Sequence, residues 1–179
     1  MVLEIDILKP ISMKIVVATE NHLPIINQIA HETWYPTFGN ILSEAQIGYM
    51  LNWMYSIDSL KSQVEEQGHH FILAQEDGKY LGYASYELNY KSESKTKIHK
   101  IYILPSAQGK GIGKVLMQYI EQEAIKAHNH SLLLNVNRNN KQALAFYNKF
   151  GFSAIGTENI DIGNGYLMED FIMEKPIEK

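Results

Sequence analysis

The chain has 179 residues, of which 45% are hydrophobic and 20% charged, and its net charge is −4 at neutral pH. This balance predicts one soluble globular domain without a nucleic-acid partner. The absence of cysteine excludes disulfides, thiolate zinc sites and a cysteine nucleophile. No apolar run approaches the roughly 18 residues that span a bilayer, so a membrane partner is not expected.

The first twelve residues contain Glu4 and Asp6 among apolar residues, and they lack a basic start and a cleavage site. This pattern is not that of a signal peptide, and it predicts a cytoplasmic protein. We interpret residues 1–12 as an N-terminal extension, with either Met1 or Met13 as the native start, and residues 13–179 as one domain.

The first part of the chain predicts one strand and three helices. Thr19 is a suitable N-cap, and the apolar periodicity that follows it ends near Trp34, before the helix-breaking Pro36. Ser43 and Gln46 have capping-box spacing, and Ser59 is a suitable cap for a short third helix. The predicted elements are a strand at 14–18 and helices at 19–34, 44–54 and 59–67.

The remainder predicts strands interrupted by two helices. Asp77-Gly78 is typical of a hairpin turn, and Gly82 is typical of a bulge. Strict alternation would place Lys97, His99, Ile101 and Ile103 on one face of a strand, and Ile98, Lys100 and Tyr102 on the other. The predicted elements are strands at 70–75, 80–88, 97–104, 132–136, 152–160 and 166–174, and helices at 111–128 and 140–150, the latter capped by Asn139 or Asn140. The order predicts a mixed α/β fold with helices covering a twisted sheet.

The most informative segment joins the 97–104 strand to the next helix. It contains Gln108, Gly111 and Gly113 in a Q-x-x-G-x-G pattern, together with Lys110 and Lys114. Helix N-termini bind anions because their first N–H groups lack internal partners, and glycines admit a phosphate close to the backbone. The spacing fits neither a dinucleotide fingerprint nor a P-loop. Glycines at such a turn are also common for structural reasons alone.

A second block lies downstream and agrees with the first. Its pattern is V-x-x-x-N-x-x-A-x-x-[FL]-Y-x-K-x-G-F, filled by Asn140, Ala143, Phe146, Tyr147, Lys149, Gly151 and Phe152. Together the two blocks resemble the GNAT superfamily of N-acetyltransferases, and the resemblance extends from about residue 13 to residue 175. It implies a single domain with a mostly antiparallel sheet of about seven strands, splayed at its centre.

The resemblance also implies acetyl-CoA as co-substrate and a set of cofactor contacts. The strand backbone at Ile101, Tyr102 and Ile103 would bind the pantetheine arm, and the Asn140 side chain would reach the same arm. Tyr147 would lie near the sulfur and act as general acid. The turn that would hold the pyrophosphate consists of Gln108, Gly109, Lys110, Gly111, Ile112, Gly113 and Lys114. Tyr147 as a packed aromatic and Asn140 as a simple helix cap are the structural alternatives.

The general base is harder to place. Many relatives have a glutamate on the strand before the turn or on the next strand, whereas this chain has Lys97 and His99 on the first and Asn135 on the second. His99 is a candidate base because imidazole titrates near neutral pH; the alternative is deprotonation through water. His69 and His70 are adjacent on a strand and are expected to face opposite ways, so no metal is expected.

The acceptor is predicted from a weaker resemblance. The segment containing Glu32, Trp34, Tyr35 and Phe38 is similar to one in bacterial polyamine-acetylating GNATs, which implies that these residues bind a spermidine-like or spermine-like amine. A peptide N-terminus and an antibiotic amine are the alternative acceptors. A non-catalytic acetyl-CoA sensor is the alternative function, and a homodimer through the C-terminal strands is common in the family.

Overall fold

The structure, a computed structural model, describes residues 13–177. The predicted extension at residues 1–12, and with it the choice between Met1 and Met13 as start, lies outside the described residues. Seven strands form one sheet in the order β1-β2-β3-β4-β5-β7-β6, and only the β4–β5 pair is parallel. This confirms the predicted mixed, mostly antiparallel sheet. The strands are β1 (Lys14–Val17), β2 (His70–Glu76), β3 (Lys79–Glu87), β4 (Lys95–Ile103), β5 (Ser131–Asn137), β6 (Ser153–Asp161) and β7 (Leu167–Pro176).

Five helices cover the two faces of the sheet. They are α1 (Leu23–Phe38), α2 (Glu44–Tyr55), α3 (Ile57–Glu65), α4 (Ile112–Lys126) and α5 (Lys141–Phe150). Helices α1 to α3 bury their apolar residues against one face, where Leu73 and Tyr83 lie, and α4 and α5 cover the other, where Ile72 and Leu134 lie. Adjacent strand residues such as Ile72 and Leu73 therefore belong to different cores, as the two-residue period of a strand requires.

Three helix boundaries can be compared with the predictions from sequence. The Ser43 hydroxyl accepts from the Gln46 N–H at 3.1 Å, which confirms the cap of α2. The cap of α3 is Ser56 and not Ser59, which lies inside the helix. Helix α1 was predicted to end near Trp34 but continues through Pro36 to Phe38. Pro36 has no N–H to donate to the Glu32 carbonyl, so the helix loses that bond, and the Gly39 N–H closes the last turn on the Tyr35 carbonyl at 2.9 Å.

The parallel pair at the centre of the sheet is short. Strands β4 and β5 pair only from Lys95–Ile98 against Ser131–Leu134. Beyond this point β4 continues to Ile103 on its partner β3, and β5 continues to Asn137 on its partner β7. The two strands therefore diverge, which confirms the predicted splay and opens a cleft at the middle of the sheet.

A bulge in β4 changes which side chains face the two cores. Ser85 pairs with Lys100 and the next residue, Tyr86, pairs with Ile98, so His99 is an extra residue in the strand. The prediction of strict alternation across β4 is therefore wrong. Ile98 shares a face with Ile101 and Ile103, which pack toward α4 and α5, whereas Lys100 and Tyr102 lie on the α1–α2 side. An inserted residue shifts the alternation by one position.

A second bulge lies in β3, at Leu81, directly before the predicted position Gly82. A Cβ at Gly82 would lie 2.7 Å from the Tyr102 carbonyl oxygen, so the β3 and β4 backbones approach closely here. This contact fixes the end of β4 that borders the cleft.

Substituting Gly82→Ala should destabilise the fold by about 1–3 kcal/mol, because the new methyl group forces β3 and β4 apart. Gly48→Ala is the matched control: it lies within α2, its Cβ would lie 3.8 Å from the Tyr35 hydroxyl, and it should stabilise the fold by up to about 1 kcal/mol. Urea denaturation measures both free energies of unfolding. Equal stability of the Gly82→Ala variant and the unchanged protein would contradict the proposed close approach.

Candidate active site

A cavity of about 610 Å³ occupies the cleft between β4 and β5. One end lies at the turn between β4 and α4, and the other lies beneath α1 and α2. The cavity therefore connects the predicted phosphate turn with the predicted acceptor region through the splay of the sheet. A ligand with an anionic end and an extended arm fits this shape.

The turn before α4 has the backbone of an anion site. Gly109 and Gly111 have φ values of 80° and 79°, a conformation that side-chain-bearing residues rarely adopt, and nothing lies within 4 Å of the Cβ that either would carry. Gly111 is the N-cap of the 15-residue helix α4, so the unpaired N–H groups and positive dipole end of that helix point into the open space. These features fit the pyrophosphate of a coenzyme A molecule.

Gly113 has a different role. Its Cα approaches α5 and β4 so closely that a Cβ would lie 3.1 Å from Cζ of Phe146 and 3.2 Å from Cδ1 of Ile103. A glycine is therefore needed for the first turn of α4 to pack against both elements. This packing places the turn at the mouth of the cleft.

Most of the predicted cofactor residues line this cavity. They are Ile101, Tyr102, Ile103, Gln108, Gly109, Gly111, Ile112, Gly113, Lys114, Asn140 and Tyr147. Lys110 is not among the lining residues, and its ammonium lies 3.4 Å from the Glu76 carboxylate. The side-chain Oδ1 of Asn140 accepts from the Ala143 N–H at 3.1 Å, so Asn140 caps α5 and also borders the cavity.

Tyr147 is buried on α5 with 7% of its surface exposed, and it lines the cavity. Burial raises the pKa of its phenol above the ordinary value, so the hydroxyl is protonated at neutral pH. Within residues 13–177 the hydroxyl makes no hydrogen bond. It is therefore a free donor inside the cleft.

His99 belongs to a cluster of polar side chains on the α1–α2 side of the sheet. Its Nε2 lies 2.9 Å from Oε2 of Glu87, and its ring stacks on that of His69 at 3.9 Å. His69 Nδ1 lies 3.0 Å from the Ser85 hydroxyl. Burial is the main cause that lowers the pKa of His99 to about 2 and that of His69 to about 3, so both imidazoles are neutral.

The ligand atoms of His69, Glu87 and His99 lie within 4.8 Å of one another, as in a metal site. The two rings, however, are nearly parallel, with planes 12° apart. Imidazole lone pairs lie in the ring plane, so two stacked rings cannot direct them at one ion. The cluster is better explained as a hydrogen-bonded pair, Glu87–His99, supported by a stacked neighbour.

The acceptor end of the cavity is roofed by α2 and the β6–β7 hairpin. The Tyr49 hydroxyl donates to the Ile162 carbonyl at 2.7 Å, and the Gln46 amide donates to the Leu167 carbonyl at 3.1 Å. Gln46, placed by sequence in a capping box, instead joins α2 to the hairpin. This roof restricts the acceptor end to a pocket beneath α2.

Of the predicted acceptor residues, Trp34 and Phe38 line the cavity, whereas Glu32 and Tyr35 do not. Sequence reasoning placed Lys100 on the face opposite Ile101 but did not identify it as a lining residue, because it lies in no recognisable motif. Asp170 is a further lining residue. The other residues lining the acceptor end are Thr37, Leu42, Gln46, Met50, Met54, Tyr55, Leu167 and Met168.

Comparison with known proteins agrees with this geometry. The Acetyltransferase (GNAT) family matches residues 26–152, more than half of the chain. The chain therefore belongs to the GNAT family of acetyltransferases, whose members transfer acetyl from acetyl-CoA to amines. No helix in residues 13–177 is long and apolar enough to cross a membrane.

Two curated relatives and one solved structure are similar over most of the chain. An uncharacterised N-acetyltransferase of Lactobacillus delbrueckii subsp. lactis is 26% identical over 92% of this chain and 98% of its own. Spermidine N(1)-acetyltransferase of Thermoplasma acidophilum is 27% identical over 87% of this chain and 92% of its own. The crystal structure of the PaiA N-acetyltransferase of Thermoplasma acidophilum with coenzyme A is 27% identical to this chain and has a TM-score of 0.77. The match covers 92% of this chain and 99% of that one.

The neutral imidazoles of the partly buried His99 and the buried His69 predict acid sensitivity of the fold. Their folded pKa values lie below the ordinary value of about 6.5, so the unfolded chain binds more protons and stability falls as the pH drops below that value. Each histidine should contribute a loss of about 1–2 kcal/mol between pH 7 and pH 5.

Urea denaturation of the unchanged protein and of His99→Gln at pH 7 and pH 5 measures this loss. The variant should lose less stability on acidification, and His31→Gln, at an exposed position on α1, should behave as the unchanged protein does. An unchanged pH dependence in His99→Gln would show that His99 is not held neutral by the fold.

Proposed function

We propose that this protein transfers acetyl from acetyl-CoA directly to the primary amine of a small acceptor. The observation that supports this most is the unpaired Tyr147 hydroxyl, which lies in the cleft between the anion-binding turn and the acceptor pocket. Acetyl-CoA supplies the activated acetyl group as a thioester. A direct reaction suits the chain because it has no cysteine to carry the acetyl group.

The chain's own groups account for binding and for the leaving group. N–H groups of the turn from Gly109 to Lys114 hold the pyrophosphate, and the β4 edge at Ile101 and Ile103, which lacks a β5 partner, pairs with the pantetheine amides. A backbone N–H of this edge stabilises the oxyanion that forms when the amine attacks the carbonyl carbon. Tyr147 donates its proton to the sulfur as the carbon–sulfur bond breaks.

The amine must lose a proton to become nucleophilic, and we propose that it leaves through His99 to Glu87. His99 lines the cavity, and it bonds at 2.9 Å to Glu87, whose pKa is raised by burial. With a pKa near 2, the imidazole is a poor final proton acceptor. One ring nitrogen therefore accepts the proton while the other passes its own to the carboxylate, so no imidazolium accumulates.

A small acceptor is favoured over an extended peptide because α2 is tied to the β6–β7 hairpin above the pocket. Similarity to the Thermoplasma spermidine acetyltransferase supports a polyamine, and Asp170 is a lining carboxylate that an ammonium group can approach. The same pocket also contains Lys100, which a polycation would have to approach.

Replacing Tyr147 with Phe should lower kcat by about 100-fold, because the thiolate loses its proton donor, while the acetyl-CoA dissociation constant stays nearly unchanged. Release of CoA thiol is measured with spermidine, spermine, amino acids, short peptides and aminoglycosides, and cofactor binding by calorimetry. Tyr119→Phe, on α4 outside the cleft, is the matched control. If acetyl-CoA binds but no amine releases thiol, the protein is an acetyl-CoA sensor rather than an enzyme of this acceptor range.

Replacing Glu87 with Gln should lower kcat by about 10- to 100-fold, because the amide keeps the hydrogen bond to His99 but cannot take its proton. The loss should diminish as the pH rises and more acceptor amine is already neutral. Glu87→Asp should retain part of the activity. The relay is wrong if Glu87→Gln has the same pH–rate profile as the unchanged protein.

A further inference from the structure

Lys100 is a buried cation at the acceptor end of the cavity. Its side chain lies on the α1–α2 side together with Tyr102, and Nζ lies 5.6 Å from the ring centroid of Tyr55 and 5.9 Å from that of Phe71. Only 8% of the residue is exposed, and it lines the cavity. Its ammonium is therefore reached through the cleft and not from the outer surface.

Lys100 differs from the other well-buried basic residues in having no partner. Within residues 13–177 its ammonium makes no hydrogen bond and has no carboxylate within 4.0 Å. Lys97, on the same strand, donates to the side-chain Oδ1 of Asn135, and the Lys175 ammonium lies 2.6 Å from the Glu121 carboxylate. The aromatic rings beneath Lys100 give some cation–π stabilisation but no hydrogen-bond acceptor.

A buried ammonium without a counterion is costly, and burial accordingly lowers the pKa of Lys100 to about 7. An anion in the cavity would offset the cost of burying the ammonium, because it supplies both the opposite charge and the hydrogen-bond acceptors that the site lacks. The phosphates of acetyl-CoA do not serve, because their site is the turn before α4 at the opposite end of the cavity. The acceptor is the ligand that occupies the end at which Lys100 lies.

We propose that Lys100 binds a carboxylate of the acceptor, so that the substrates are amino acids or related amines that carry a carboxylate. This inference rests on the proposed acetyl transfer to a small amine and names its substrate class. The remainder of the pocket fits an apolar side chain, since Trp34, Phe38, Met50 and Met54 line it. Amino acids such as leucine, methionine and phenylalanine combine the three features: amine, carboxylate and apolar body.

The test compares acceptors that differ only in the carboxylate. L-Leucine, L-methionine and L-phenylalanine are each paired with their decarboxylated amines (3-methylbutylamine, 3-(methylthio)propylamine and 2-phenylethylamine), and spermidine represents polyamines. We expect kcat/KM to be about 10- to 100-fold higher for the carboxylate-bearing member of a pair, because a hydrogen bond between charged groups stabilises a complex by a corresponding amount of free energy. Lys100→Met should abolish this preference, and Lys100→Arg should retain most of it.

Two controls separate binding from folding. Lys97→Met removes another buried lysine of β4 and should keep the preference, while thermal unfolding and acetyl-CoA binding verify that each variant is folded. The inference is overturned if the unchanged protein prefers the decarboxylated amines or spermidine, or if the Lys100→Met variant keeps the preference for the carboxylate. Thiol release in either case would still support the proposed acetyl transfer.

A measurement without turnover separates the two proposals further. Calorimetric titration of L-leucine into the CoA-loaded protein should show binding that Lys100→Met weakens by at least about tenfold, whereas 3-methylbutylamine should bind both proteins alike. If no amine releases thiol but L-leucine binds in this Lys100-dependent way, the acceptor pocket stands and the proposed catalysis fails. Absence of such binding overturns the carboxylate site.

Discussion

The short pairing of β4 with β5 is the constraint on which the rest of the site depends. Only four residues of each strand face each other, and beyond them each strand is held by its other neighbour. The exposed β4 edge offers backbone groups that in an ordinary sheet would be satisfied by a strand. The cleft can therefore hold an extended ligand without any local unfolding, and the core on each side remains intact.

The same strand carries the chemistry at its bulge. One inserted residue, His99, places a neutral imidazole and a buried ammonium next to each other on the acceptor side while the isoleucines return to the opposite core. Burial lowers the pKa of both groups, so the pocket wall is polar but weakly charged. Such a wall binds a polar group that enters it more strongly than bulk water would, since the effective dielectric constant there is low.

Sequence predicted the elements, the glycine turn and the splay, because hydrophobic periodicity and the two motif blocks are local properties of the chain. It failed where long-range pairing decides the outcome. The facing of Ile98 and of His99 could not be read from alternation, since the bulge is set by the register between β3 and β4. Glu87 could not be assigned to His99 for the same reason, and the tie from Gln46 to Leu167 joins residues 121 positions apart. The end of α1 was missed because a proline usually breaks a helix, whereas α1 continues two residues past Pro36.

Strand β7 has an interior place in the sheet although it follows every other strand in the chain. Among the strands of residues 13–177 it alone pairs with β6, and it covers the edge of β5 along seven residues. During synthesis the edge of β5 and the whole of β6 therefore lack this partner until β7 has left the ribosome. Strand β5 forms one side of the cleft and has β7 as its partner on the other edge, so this side of the binding site is fully supported only once β7 has joined the sheet.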